Sequence, residues 1–250
     1  MAGGIAVIGG SGGLGEAVVR RLASRAPILI GYRANRERAD TLVASLAAQG
    51  ASVRAVQLDI TVADSVAAFF REAAGFHGGV THVVSATGPA IPLCPLLEVT
   101  EADFRRIMDT DVLGTFNVLR HAIPALRDRG GGSITVFVTT AVLRTLENDG
   151  MSSVPKTAVT GLVKLAAREA GPHNVRCNAV APGVIDAGIV HSSFTVSEVA
   201  KQVIGNCLDR TPMPRMGRPE EVAALVDFLC SDAAAYVNGQ VIGIDGGYSA

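Results

Sequence analysis

The stretch Gly9-Gly10-Ser11-Gly12-Gly13-Leu14-Gly15 constrains this chain more than any other segment. It closes the short apolar run 5–9 and opens the segment 14–22, where Leu14, Val18 and Leu22 recur at helical spacing. A strand that enters a helix through glycines can turn sharply and leave free N–H groups at the helix start. Gly10, Gly12 and Gly15 fit the pattern G-x-G-x-x-G, while Gly9, Gly13 and Gly15 fit G-x-x-x-G-x-G. Both suit the close approach of a pyrophosphate, which the helix N-terminus and its dipole favour. The competing reading is a glycine-rich turn without a ligand.

Beyond the loop the chain alternates. Apolar runs at 27–32, 53–58, 80–86, 134–139, 175–181 and 241–245 read as strands. Residues 35–48, a long stretch around 101–126, and 157–170 read as helices; on the last, Val159, Leu162, Val163 and Ala166 share a face. Strands apolar nearly throughout, separated by helices, predict an α/β fold: a Rossmann-type doubly wound parallel sheet with helices on both faces. The alternation never breaks, so residues 1–250 are read as one dinucleotide-binding domain.

Composition narrows the partners. Hydrophobic residues make up 48% and charged residues 18%, enough for a buried core. A net charge of -1 argues against nucleic acid. No apolar run has the length of a membrane span, and the first residues carry no signal-peptide pattern, so a cytoplasmic protein is expected. Cys94, Cys177, Cys207 and Cys230 form no CxxC pair and read as idle thiols. His77, His82, His121 and His173 read as strand or turn residues without ligand spacing, so no metal site is expected.

The end of the second strand bears on the dinucleotide. An acid there would bind a ribose 2′-OH. The sequence is Ile30-Gly31-Tyr32-Arg33-Ala34-Asn35-Arg36, with no acid before Glu37. Arg33 suits a 2′-phosphate, so NADP(H) is expected over NAD(H). A solvated basic loop is the alternative for Arg33 and Arg36.

With the glycine loop in place, the whole chain resembles the classical short-chain dehydrogenase/reductase family. Leu58-Asp59, Asn178-Ala-Val-Ala-Pro182-Gly183, Arg215-Met-Gly-Arg-Pro-Glu-Glu-Val222 and Asn238-Gly-Gln-Val-Ile-Gly-Ile-Asp-Gly-Gly247 carry the resemblance, in family order. It implies about seven strands and a homodimer or homotetramer. It assigns Gly9, Ser11, Gly13, Leu14, Gly15, Arg33, Asp59, Ile60, Lys156, Pro182, Gly183 and Val184 to the cofactor. The family's Tyr-x-x-x-Lys falls on Ser152 and Lys156, with Lys156 directly ahead of the helix 157–170. Its serine falls on Thr139, with Thr140 beside it, and its active-site asparagine on Asp111. Its Asn-Asn-Ala-Gly reads Ser85-Ala86-Thr87-Gly88, and a threonine after the Pro-Gly turn reads Ala187.

The family tyrosine passes a proton to the substrate oxygen, with the lysine cation lowering its pKa. A serine hydroxyl is far less acidic, so the resemblance implies an atypical catalytic set: Thr139, Ser152, Lys156 and Asp111. Asp111 would place a negative charge near Lys156. His191 is a candidate proton donor, against the reading of a surface loop histidine; Glu147, Asp149 and Asp186 read as solvated carboxylates. Three functions stay open: an NADP(H)-dependent oxidoreductase on a carbonyl or alcohol with non-standard proton delivery; a non-redox cyclase, dehydratase or isomerase; and a catalytically idle binding or regulatory protein. The segment 187–208, apolar with few charges, points to a small apolar substrate.

Overall fold

Seven strands form one sheet in the computed structural model, which describes residues 3–187 and 198–250. They are β1 (Gly4–Ile8), β2 (Ile28–Tyr32), β3 (Val53–Gln57), β4 (Val80–Ser85), β5 (Gly132–Phe137), β6 (Val175–Pro182) and β7 (Val241–Ile244). All neighbours pair in parallel, in the order β3-β2-β1-β4-β5-β6-β7. The chain winds outward from β1 to β3, returns to β1's other side as β4, and winds outward again. That reversal opens a crevice beyond the C-terminal ends of β1 and β4, where such sheets bind ligands.

Alternation along each strand sorts the core into two layers. Ile5, Val7, Ile28, Ile30, Val84 and Val180 face one way, toward α1 (Gly13–Leu22), α2 (Arg36–Ala47) and α8 (Pro219–Leu229). Ala6, Ile8, Leu29, Val83, Ile134 and Cys177 face the other way. There they meet α3 (Ala63–Gly75), α5 (Gly114–Arg127) and α6 (Gly150–Ala170). α4 (Glu101–Met108) and α7 (Glu198–Asp209) complete the helices of the described residues.

Two helices depart from the sequence pattern. The stretch around 101–126 is not one α-helix: a π-helical turn at Asp109–Leu113 separates α4 from α5. The wider turn shifts the register of the side chains that follow. The helix expected at 157–170 begins seven residues earlier, at Gly150, so Ser152 and Lys156 both lie within α6. Pro155 lacks an N–H and would disfavour a helix here. Burial of Met151, Ser153, Pro155 and Lys156 on the core side outweighs that loss. His121 is also helical, lying within α5. No helix among the described residues is long and apolar enough to cross a membrane.

Candidate functional site

The glycine loop sits at the crevice. Gly9 has φ +76, a left-handed conformation that favours glycine, and a Cβ there would meet the Ala86 carbonyl oxygen at 2.6 Å. A Cβ on Gly15 would sit 2.1 Å from the Gly9 carbonyl oxygen. The strand end and helix start therefore fold onto one another with no room for a side chain. Gly12 is the N-cap of α1 and offers no side chain to its first N–H groups, those of Gly13, Leu14 and Gly15. Ser11 is buried beside them. The residues present fit a dinucleotide pyrophosphate here.

Around the loop the basic and acidic groups divide. Arg36 pairs with Asp40 at 3.3 Å and Arg38 with Glu16 at 3.0 Å. The Arg33 guanidinium is exposed and donates no hydrogen bond to a described residue. Thr61 donates both its N–H (2.9 Å) and its hydroxyl (2.7 Å) to Asp59 Oδ1. The hydroxyl bond, with help from the Arg33 charge and against a burial penalty, holds the Asp59 carboxyl below its ordinary range. Ile60 is pinned by Asn117, whose Nδ2 donates to its carbonyl at 2.9 Å.

On the other side of the crevice, α6 packs against the π-helical turn. Lys156 Nζ meets Asp111 Oδ1 at 3.0 Å, with side chains only 10% and 2% exposed. The same ammonium donates to the Thr87 carbonyl at 3.0 Å. Burial raises the Asp111 pKa and the neighbouring lysine charge opposes the rise. Thr139, just past β5, caps a short 3-10 turn; its hydroxyl oxygen accepts from the Ala141 N–H at 3.3 Å. Thr140 is committed elsewhere, donating to Asp245 Oδ2 at 2.6 Å. Pro182 ends β6, and the Gly183 N–H bonds the Ile244 carbonyl at 3.1 Å. A cavity of about 150 Å³ follows, lined by Val184, Ile185, Leu208, Met213, Ile244 and Asp245 among others.

Ser152 is half-buried one turn before Lys156 on α6. Asp149 is the N-cap of that helix and is not a solvated carboxylate: it is 7% exposed. Its side chain makes no cap hydrogen bond, and its Oδ1 has no partner among the described residues. Burial pushes its pKa up to about 7, opposed by the Ser152 hydroxyl. The Cys207 thiol on α7 and the Tyr248 hydroxyl belong to the same buried group. Glu147 and Asp186 are exposed, as expected. His191 lies outside the described residues. The described residues hold no cluster of metal-ligating side chains, and the four cysteines are free, Cys94 half-buried and the others buried.

A family model described as Enoyl-(Acyl carrier protein) reductase matches residues 9–249. A solved short-chain type dehydrogenase/reductase from Mycobacterium ulcerans superimposes with a TM-score of 0.91 at 34% identity, covering 99% of this chain and 90% of that one. The chain belongs to the short-chain dehydrogenase/reductase family. Curated members of this family are similarly close. The cis-4-hydroxycyclohexanecarboxylate dehydrogenase of Sinomonas cyclohexanicum is 35% identical over 245 residues, 98% of this chain and 95% of that protein. Dehydrogenase/reductase SDR family member 4 of Oryctolagus cuniculus is 31% identical over 235 residues, 94% of this chain and 89% of its own. Short-chain dehydrogenase/reductases are oxidoreductases that use nicotinamide cofactors. Asp149, Cys207 and Tyr248 were not legible as one cluster, because residues this far apart in sequence carry no shared pattern.

Proposed function

We propose that this protein is an NADP(H)-dependent oxidoreductase acting on the carbonyl or alcohol of a small apolar substrate, by a proton route that uses no tyrosine. The observation that carries the reading is the buried Lys156–Asp111 pair beside the glycine cradle, with Ser152 one turn away. When bound, the nicotinamide supplies or accepts hydride at the substrate carbon.

The chain's own residues then divide the work. Gly9, Ser11, Gly13, Leu14 and Gly15 hold the pyrophosphate by backbone N–H groups and close approach. Arg33, unengaged by a described acceptor, takes the 2′-phosphate, and Asp59 and Ile60 flank the adenine. Lys156 binds the ribose hydroxyls, held in place by Asp111 and the Thr87 carbonyl. Pro182, Gly183 and Val184 line the nicotinamide end. Thr139 donates its hydroxyl to the substrate oxygen. The cavity beyond β6 and β7, lined mainly by apolar side chains with Arg215, Glu221 and Asp245 among them, supports a small substrate with a largely apolar body. The relative named for a hydroxycyclohexanecarboxylate makes cyclic alcohols and ketones the class to screen first. Exposed Phe104 on α4, Leu113 in the π-helical turn and Phe116 on α5 support assembly as a homodimer or homotetramer.

Calorimetry with NADPH and NADH, followed by a ketone screen, tests the reading. Tight NADPH binding, weak NADH binding and turnover that falls in both Lys156→Ala and Thr139→Ala are expected. Binding of neither nucleotide, or unchanged turnover in both variants, refutes it.

A further inference from the structure

The missing element of the site is an acid. Ser152 stands where a proton must reach the substrate, yet its hydroxyl cannot supply one at neutral pH. Asp149 lies one helical turn before it: the Asp149 carbonyl accepts the N–H groups of Ser152 and Ser153, each at 3.1 Å. Asp149, Ser152 and Lys156 thus follow one another at spacings of three and four, along one face of α6. An aspartate at an N-cap ordinarily turns its carboxyl back onto the helix N–H groups. This one does not, and is buried with Oδ1 unpartnered among the described residues.

We infer that Asp149 is the proton source of this site, acting through the Ser152 hydroxyl on the substrate oxygen. The inference rests on the oxidoreductase reading above. In reduction, the Ser152 O–H bond breaks toward the carbonyl oxygen while the Asp149 O–H bond breaks toward Ser152 Oγ. The carbonyl gains that proton on oxygen and, on carbon, the hydride of the proposed reaction. Asp149 is left as a carboxylate and regains its proton from water; alcohol oxidation moves the same atoms in reverse.

The surroundings favour Asp149 over its neighbours. Ser152 and the Cys207 thiol are the groups near it, with the Tyr248 hydroxyl beside Cys207 and Arg210 and Arg144 behind those two. The backbone of half-buried Cys94 runs alongside. Burial pushes both Cys207 and Tyr248 further above their ordinary values, away from neutral pH. The same burial brings the Asp149 carboxyl up to about 7, the range an efficient acid needs.

The test is the pH profile of ketone reduction between about pH 5 and 9 for wild type, Asp149→Asn, Ser152→Ala and the double variant. Wild-type kcat should be level at acid pH and fall as pH rises through about 7. Asp149→Asn should lose on the order of 10²-fold in kcat together with that limb, with NADPH affinity unchanged. Ser152→Ala should match it, and the double variant should be no slower than either. The infrared band of a protonated carboxyl, present in wild type at pH 6 and absent in Asp149→Asn, reads the acid without turnover. Turnover with the limb intact in Asp149→Asn overturns the inference alone. Wild-type kcat in Ser152→Ala overturns the relay even where Asp149→Asn fails to fold. A wild type that reduces no ketone removes the oxidoreductase reading and this inference together.

Discussion

Replacing Asp149 with asparagine should change stability with a sign that depends on pH. In the unfolded chain the carboxyl titrates near its ordinary 3.8, and in the folded chain near 7. Below the first value both states hold the proton. Between the two, the folded state holds a proton the unfolded chain has lost, so stability falls as pH rises and levels off above about 7. The full difference corresponds to about 4 kcal/mol as an upper bound. Asparagine has nearly the same shape and no such titration, but it leaves a buried amide short of partners, at a cost of about 1–3 kcal/mol. Wild type should therefore be the more stable protein at pH 4 to 5, and Asp149→Asn the more stable at pH 8. Urea unfolding of both proteins across that range measures the difference directly. A difference that stays constant from pH 4 to 8 would refute the burial of an ionisable carboxyl at this position. A variant that gains stability at pH 8 while losing turnover would mark Asp149 as a residue kept at the expense of stability.

Three further outcomes follow from the site. Gly15→Ala forces a Cβ to within 2.1 Å of the Gly9 carbonyl, so it should lower unfolding free energy by about 1–3 kcal/mol and remove NADPH binding in calorimetry; unaltered binding contradicts the cradle. Arg33→Ala should weaken NADPH by about tenfold to a hundredfold and leave NADH unchanged, since only the former carries the 2′-phosphate; equal effects on both refute its assignment. Asp111→Ala leaves the buried Lys156 ammonium without its counter-charge and should cost about 3–5 kcal/mol in urea unfolding; a loss below about 1 kcal/mol shows that the pair is not desolvated.

The strands were legible because each apolar run is short and bounded by polar or glycine residues, and the central ones are buried on both faces; their ends agree with the sequence reading to within two residues. The glycine loop was legible for a local reason too, since Gly15 answers to the Gly9 carbonyl inside the same seven-residue stretch. The N-terminal turns of α6 were not, because Ser152, Ser153 and Pro155 read as helix-breaking and only burial against the core holds them helical. The π-helical turn at Asp109–Leu113 likewise lies inside a pattern that reads as continuous α-helix. It packs against α6, where Asp111 meets Lys156.

Local pattern in the sequence was enough for the element order, the parallel sheet, the glycine loop and the residue types standing at the family's catalytic positions. These depend on local periodicity and on motifs that need no distant partner. The tertiary structure alone decided that Asp111 and Lys156 pair in isolation from water. It alone decided that Asp149 is buried near Cys207. Burial is set by what covers a residue, and here the covering groups come from α7 and the C-terminal turn, far along the chain. The charge state of a carboxylate follows its solvent, and the solvent is assigned only when the chain closes.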